Sequence, residues 1–433
     1  MKTRWLCLIL SLSVLNANAQ LLSVDDAIEI ALKSNYDILI AKQNLETVKV
    51  NNTVGNAGML PNINATVGDN FSVNNLNQKF TNGTEIVRNN VLGNNLNTNI
   101  ALNWTVFDGF RMFITKNKLN QLEAMERFNL MESVQNKVAE VILAYYDITR
   151  QQKQLKTLKE GLNISEERRQ IAEAKFTLGS SSKVDLLQAK VDANQKRAEI
   201  FNQENVIITA KKNLNRLLGR DIEQNFTVSD TIIILKNTDL VSLKSQTLKE
   251  NYELKMSAKS KDIARLEKKE IGALLSPKLN LNAAYNYSLS NSQAGFILFN
   301  QSFGPSVGGT LNIPIFNGMD VNRQWQQAKI NIQRQEYQYE NIRAKVNTAV
   351  DKAMRDYLNA LEILELEEMN ISLAKENKDI ARERFRLAQS SALELREAQK
   401  SYEDALFRTV NARFNAKMSE VEMKRISGEL IKK

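Results

Sequence analysis

The chain has 433 residues, 58 of them lysine or arginine against 49 aspartate or glutamate, with no histidine and a formal charge of +9. Without histidine, Ser-His-Asp, Cys-His and His-ligated metal sites are excluded, and a single cysteine, Cys7, excludes a disulfide within the chain. Mean hydropathy is negative, and no apolar run reaches the ~20 residues of a membrane-spanning helix.

In chain order, Lys2 and Arg4 precede the apolar run Trp5 to Leu15 and the small-residue sequence Ala17-Asn18-Ala19. This predicts a secretory signal peptide over residues 1–19, cut before Gln20, and hence a protein that leaves the cytoplasm. Cleavage leaves 56 basic and 49 acidic residues, a charge of +7, and removes Cys7. A mature chain without a thiol makes no thiolate metal site. Cys7 also lies inside the apolar run, away from the cleavage point, which argues against a lipidated N-terminus.

Proline and glycine divide the rest. All four prolines and twelve of the sixteen glycines lie between 55 and 109 or between 272 and 318, which marks these windows as non-helical. A helix is predicted over 24–56. After Pro61, apolar Ile63, Ala65, Val67, Phe71 and Val73 alternate with Asn62, Asn64, Thr66, Asn70 and Ser72; before Gly109, Leu96, Ile100, Leu102, Trp104 and Val106 alternate likewise. A hairpin over 61–108 follows, its strands about ten residues each, the length of a tilted membrane strand, with 74–94 as its loop. A helix over 110–176 carries Val134, Val141, Ile148, Leu155 and Leu162 every seventh residue, with Val138 and Tyr145 beside them, a coiled-coil-like seam. At 1.5 Å per residue it is roughly 100 Å long. A helix over 184–218 places Leu187, Val191, Ala198, Phe201, Ile208 and Leu214 along one side.

The chain then repeats itself. Residues 176–189 (FTLGSSSKVDLLQA) return 209 positions later as 385–398 (FRLAQSSALELREA), with Gly109 matched by Gly318 and Gly219 by Gly428. Repeat 1 thus spans 20–219, and a linker over 220–243 with the apolar run Ile232 to Leu235 leads to repeat 2 over 244–428. Repeat 2 comprises a helix 244–274, a hairpin 277–317 with its loop at 291–302, a long helix 319–385 and a helix 393–427; a tail follows over 429–433. Leu279, Leu281, Ala283, Tyr285, Tyr287 and Leu289 alternate after Pro277, and Val350, Tyr357, Leu364 and Ile371 keep the heptad. The polar strand faces are almost all Asn, Ser, Thr and Gly, the lining of a wet lumen, whereas strands solvated in bulk water carry more Lys and Glu. Trp104, Tyr285 and Tyr287 are placed as membrane-interface aromatics. Open sheet edges do not survive in lipid, so four strands per chain imply a barrel shared by several chains.

Two repeats of short helix, β-hairpin, long helix and short helix behind a signal peptide resemble the TolC family of outer-membrane channel-tunnels. The matching residues are Pro61 and Pro277 at the helix-to-strand switch, Trp104-Thr105-Val106-Phe107-Asp108-Gly109 and Ile313-Pro314-Ile315-Phe316-Asn317-Gly318 at the return, and the two repeated stretches. The resemblance implies a mainly α fold with transmembrane β, in which a homotrimer closes a 12-stranded barrel in outer-membrane lipid of a Gram-negative bacterium. A long α-helical tunnel continues into the periplasm, with the linker and C-terminal tail packed around its middle. It implies an exit duct for drug efflux or type I secretion, served by a periplasmic membrane-fusion adaptor and an inner-membrane RND or ABC transporter. The other reading is a soluble periplasmic coiled-coil adaptor or scaffold without a pore.

The resemblance also assigns the repeated stretch. Leu178, Gly179, Ser180 and Ser181 in one copy, and Leu387, Ala388, Gln389 and Ser390 in the other, become hairpin tips that dock the adaptor. Asp185, Glu394 and Glu397 align with acidic positions at the periplasmic aperture, where each forms a ring of carboxylates in a trimer; acids in a first helical turn also serve as caps. Where well-known members lock the mouth with a tyrosine and an arginine, this chain has Phe385 and Ser390. The expected substitute is Arg384 or Arg386 with Asp185. No enzyme is expected: Glu166/Glu167 and Glu367/Glu368 read as solvated helix faces, Ser182-Lys183 as a turn, and no cofactor motif appears. The positive charge is spread through the helices, which argues against nucleic acid.

Overall fold

The structure, a computed structural model, describes residues 20–235, 240–387 and 389–430. The expected signal peptide with Cys7, residues 236–239 of the linker, Ala388 of the second tip and residues 431–433 of the tail lie outside the described residues. The first half runs β1 (Gln20–Leu22), α1 (Val24–Ser34), α2 (Tyr36–Asn51), β2 (Asn62–Lys79), β3 (Glu85–Phe107), α3 (Arg111–Thr177) and α4 (Lys183–Leu217). The second runs β4 (Phe226–Val228), α5 (Leu240–Glu250), α6 (Tyr252–Ala273), β5 (Lys278–Ser292), β6 (Phe299–Asn312), α7 (Asp320–Arg386) and α8 (Ala392–Ser427). Two compact units result: the described residues of 1–41, 130–252 and 344–433 form one, and 42–129 with 253–343 form the other.

The first short helix of each repeat, expected as one piece, is two. Asn35 leaves the helix at φ −64°, ψ 125°. Its Oδ1 accepts the N–H groups of Asp37 and Ile38 at 3.0 and 3.2 Å, which starts α2, while its Nδ2 donates to the Leu217 carbonyl at 2.7 Å. In the second repeat Asn251 separates α5 from α6 and donates to the Ile426 carbonyl at 3.3 Å. The signal was present as Leu32-Lys33-Ser34-Asn35-Tyr36 and Leu248-Lys249-Glu250-Asn251-Tyr252, but these stand 216 apart and fall outside the 209 register. Asn35→Ala strands a buried carbonyl and two N–H groups at once. It is expected to cost about 1–3 kcal/mol, read as a lowered thermal midpoint.

In the unit that holds the sheet, the strands run 18, 23, 15 and 14 residues, well beyond the ten expected. The first connection shrinks from 74–94 to a turn between Lys79 and Glu85, and the second to the stretch between Ser292 and Phe299. Asn-rich sequence there reads locally as turn, yet the ladder continues, because strand propensity yields to pairing. A bulge between Asn74 and Leu76 is absorbed by Asn90 at φ 56°, whose N–H is taken by Asn75 Oδ1 at 2.9 Å.

The sheet order is β2-β3-β5-β6, all antiparallel. Its register separates two faces. On one, Ile63, Val67, Leu102, Ile100, Tyr285, Tyr287, Phe303 and Val307 stand in cross-strand rows; on the other, Asn64, Thr66, Asn99, Asn97, Asn286, Ser288 and Ser306 do. Side-chain bonds tie the second face across strands, Ser288 Oγ to Asn97 Oδ1 at 2.8 Å and Asn286 Nδ2 to Ser306 Oγ at 3.1 Å.

In the other unit, the heptad residues Val134, Val138, Val141, Tyr145 and Ile148 of α3, and Val350, Tyr357 and Leu364 of α7, are buried, while Leu155, Leu162 and Ile371 are half-buried. Of the residues read along one side of α4, Leu214 is buried, and the rest of the core face comes from an adjacent stripe. Leu186, Ala189, Ala193, Ile200, Ile207, Leu214 and Leu217 face the core, and Leu187, Val191, Phe201 and Ile208 are exposed. The helix carries two adjacent apolar stripes, and periodicity alone does not say which one this chain covers. The linker packs over the same unit: β4 pairs in parallel with β1, Tyr145 Oη donates to the Leu22 carbonyl at 2.8 Å and accepts from Ser229 N–H at 3.0 Å, and Leu235 N–H reaches Glu420.

Candidate functional site

Both tips are turns set by local capping. In the first, Gly179 takes φ 74°, Ser180 N–H returns to the Lys175 carbonyl at 2.9 Å, and Ser182 caps α4. Asp185 completes the capping box. Its carboxylate accepts the Ser181 and Ser182 hydroxyls at 3.0 Å and the Ser182 N–H at 3.3 Å, and these bonds, Ser181's first, hold its carboxyl below the usual aspartate range. In the second tip Gln389 N–H returns to the Arg384 carbonyl at 2.8 Å, and Ser391 caps α8 by accepting the Glu394 N–H at 3.2 Å. Leu178 and Val184 of one tip and Leu387 and Leu393 of the other are exposed.

The depressed Asp185 has a pH consequence. A carboxylate favoured by folding contributes at neutral pH, and the contribution is lost as pH falls below the usual aspartate value and through the lowered one. Protection from backbone hydrogen exchange over 177–186, taken relative to the intrinsic rate at each pH, is therefore expected to fall only in that acid range. Ser182→Ala removes the hydroxyl bond to the carboxylate and the cap on the Asp185 N–H while leaving the backbone N–H bond, and is expected to move the onset to higher pH; an unmoved onset means the box does not hold the tip.

The predicted lock is not brought together within one chain. Asp185 meets serines, whereas Arg384 pairs with Glu394 at 2.8 Å and Arg386 with Glu383 at 2.9 Å. Glu397 is exposed on α8 one turn after Glu394. Phe385, 8% exposed, packs with Ala381, Leu395, Ala398 and Ile171, and Lys175 Nζ sits 4.4 Å above its ring. The phenyl group thus joins the two hairpins through packing and a cation–π contact.

Sequence reasoning missed the ion pairs that run between these helices. Asp192 of α4 holds Arg168 of α3, the two side chains only 14% and 10% exposed, with Gln188 at 2.8 Å and Arg396 of α8 at 3.8 Å. Lys196 joins Glu403 at 2.7 Å, where Gly161 leaves room for the glutamate against α3, and Arg382 joins Glu167 at 2.8 Å. The signal is reflection about the turn, since Arg168 and Asp192 are each twelve residues from Ser180. The acidic pairs read as solvated faces are taken up by arginines: Glu166 by Arg169 and Arg197, Glu367 by Arg408 and Glu368 by Arg413.

Of the expected interface aromatics, Tyr285 is exposed, Trp104 donates from Nε1 to the Met59 carbonyl at 2.9 Å, and Tyr287 Oη accepts from Gln301 at 3.3 Å. All three stand on the apolar sheet face. Among the described residues no helix is long and apolar enough to cross a membrane, and no group of three or more acidic, histidine or cysteine side chains is placed to hold a metal ion.

A sheet with one apolar and one amide face, joined in sequence to helical hairpins of 67-residue α3 and α7, defines a channel-tunnel protein of the outer membrane. The chain belongs to the outer membrane efflux protein family, whose model matches residues 27–220 and 243–429. It is 22% identical over 390 residues to the proteases secretion protein PrtF of Dickeya chrysanthemi, covering 87% of this chain and 81% of that protein. It is 23% identical over 357 residues to the alkaline protease secretion protein AprF of Pseudomonas aeruginosa, covering 80% and 71%. The fold is that of the CmeC outer membrane channel of Campylobacter jejuni, with TM-score 0.80, 16% identity and coverage of 94% and 85%. It is equally that of the outer membrane protein VceC of Vibrio cholerae, with TM-score 0.77, 15% identity and coverage of 94% and 96%. The TolC-type fold expected from the sequence is borne out, and the protein is an outer-membrane exit duct.

Proposed function

We propose that three copies close one barrel of twelve strands, four from each, and pass cargo from the periplasm to the outside as the outlet of a type I secretion or efflux system. The observation that carries this is the sheet. It has one apolar and one amide face, and its edge strands β2 and β6 have no partner in the chain among the described residues. Such edges require further copies in lipid. The amide face, with Lys278 at its end, becomes the wet lumen, and the apolar face meets lipid.

The hairpin tips, with exposed Leu178, Val184, Leu387 and Leu393, dock a periplasmic adaptor that couples the duct to an ABC or RND pump of the inner membrane. Asp185, Glu394 and Glu397 ring the entrance, Arg384 holds Glu394, and Phe385 keeps the two hairpins of each chain together. Relatives named for protease secretion favour a polypeptide cargo; the family's description favours efflux as the second reading. The test is fractionation with planar-bilayer recording. A heat-modifiable trimer extracted from outer membranes, which conducts in bilayers, is expected. Recovery as a soluble periplasmic protein without conductance favours a scaffold and overturns the duct.

A further inference from the structure

The amide face of the sheet carries a single formal charge. On this face stand the even positions of β2 from Asn62 to Asn74, the odd positions of β3 from Gly93 to Thr105, and the even positions of β5 and β6. They are Asn, Ser, Thr, Gly and Ala throughout, with Lys278 the exception. The amides and hydroxyls satisfy one another across strands, as Ser288 does with Asn97 and Thr105 with Asn280 at 3.0 Å. With their dipoles closed on each other, a fixed charge sets the potential along this face.

Lys278 opens β5 opposite Asn312, the last residue of β6. Pro277 before it has no N–H to extend the ladder, so the ammonium group stands at the end where the strands join the helices. It is exposed, and among the described residues no carboxylate pairs with it. Asp108, at the same end of the sheet, gives its carboxylate to the Met112 N–H at 3.1 Å. The matching position after the other switch proline is neutral, Asn62 following Pro61. Each chain therefore brings one unneutralised positive charge to this end of the face.

We propose that three copies of Lys278 form a ring of positive charge at the helix-side end of the barrel and make the barrel favour anions over cations, which rests on the amide face being the lumen of a barrel shared by three chains. The ligands of the ring are small inorganic anions and the anionic groups of a passing cargo. Rings of charged side chains select ions by sign, and low-dielectric walls focus their field into the water between them. The screening length falls from about 30 Å at 0.01 M salt to about 3 Å at 1 M, so the preference belongs to dilute salt. Asp185, Glu394 and Glu397 lie in the other unit and favour cations. The contribution of Lys278 is therefore a difference between variants and not the absolute selectivity of the duct.

Reversal potentials of the full assembly in planar bilayers test this. A potassium chloride gradient of about 0.01 M against 0.1 M gives the chloride-to-potassium permeability ratio where screening is weak. Lys278→Gln is expected to lower that ratio about two- to threefold and Lys278→Glu to lower it further, while Lys278→Arg keeps it, as a ring that acts through its charge requires. The differences are expected to vanish near 1 M salt. Lys278→Cys in a chain that also carries Cys7→Ser separates charge from assembly. Its ratio is expected to match that of Lys278→Gln and to rise again when aminoethyl methanethiosulfonate restores a positive group in the bilayer. Normal conductance with the same ratio in the Lys, Gln and Glu proteins overturns the ring and leaves the duct standing. Absence of conductance from every protein, the unsubstituted one included, overturns the shared barrel and the ring with it.

Discussion

Gly219→Ala is expected to cost about 4 kcal/mol or more, the range reserved for defects that the fold cannot relax around, and with it most of the assembled protein. Gly219 closes α4 at φ 65°. A Cβ there lies 2.8 Å from the Ser34 carbonyl carbon, closer still to its oxygen, and 3.3 Å from Asn35 N. Every one of these atoms is backbone, so no rotamer change clears them, and Asn35 is the residue that clamps Leu217. The left-handed conformation itself adds roughly 1–2 kcal/mol for an L side chain. Gly179 supplies the control. It has φ 74° but nothing within 4 Å of the added atom, so Gly179→Ala is expected to show the conformational cost alone. Gly428, the repeat partner of Gly219, falls between them, with the Glu250 carbonyl oxygen at 3.3 Å. Thermal unfolding of the three purified variants checks the ranking; Gly219→Ala and Gly179→Ala within a kilocalorie of each other contradict it.

Much of this molecule is legible as period and punctuation. A seven-residue stripe from Val134 to Ile148 and an alternation from Ile63 to Val73 interrupted only at Asp69 are the direct imprint of a helix seam and a two-faced sheet, and both are found as read. Local chemistry is legible too. Ser182 with Asp185 and Ser391 with Glu394 carry the spacing of a helix start, and the bonds are there. What failed depended on information outside the window. Which of two adjacent apolar stripes of α4 is covered depends on the neighbouring helix. Asn35 and Asn251 look like ordinary polar residues until Leu217 and Ile426 come beside them. The partner of Arg384 is Glu394 in place of Asp185, because the turn at Gln389 places Glu394 five residues away on the other arm, as it places Arg384. Hairpin reflection, more than periodicity, is the rule that finds such pairs.

The same rule identifies the charge expected to matter most at the tips. Asp192→Asn removes the carboxylate that neutralises Arg168 and leaves a nearly buried guanidinium without a counter-charge. Breaking one side of such a pair costs about 3–5 kcal/mol, much more than the pair itself contributes. The damage is local: it separates α3 from α4 and releases Arg396 of α8 where the two hairpins meet. The expected result is a duct that opens more readily, seen in planar bilayers as higher open probability. Phe385→Leu is expected to act in the same direction but weakly, because leucine keeps the contact with Leu395 and Ile171 and loses only the Lys175 cation–π contact, about 0.5–2 kcal/mol. Asp185→Asn is expected to leave opening near normal, since its bonds stay within its own turn. A double replacement, Arg168→Met with Asp192→Leu, separates charge from packing: apolar side chains of similar volume tolerate the site, so closure returns if the unpaired arginine was the cause. Opening by Asp185→Asn together with silence from Asp192→Asn would place the lock at the aperture acids and remove it from the seam between hairpins.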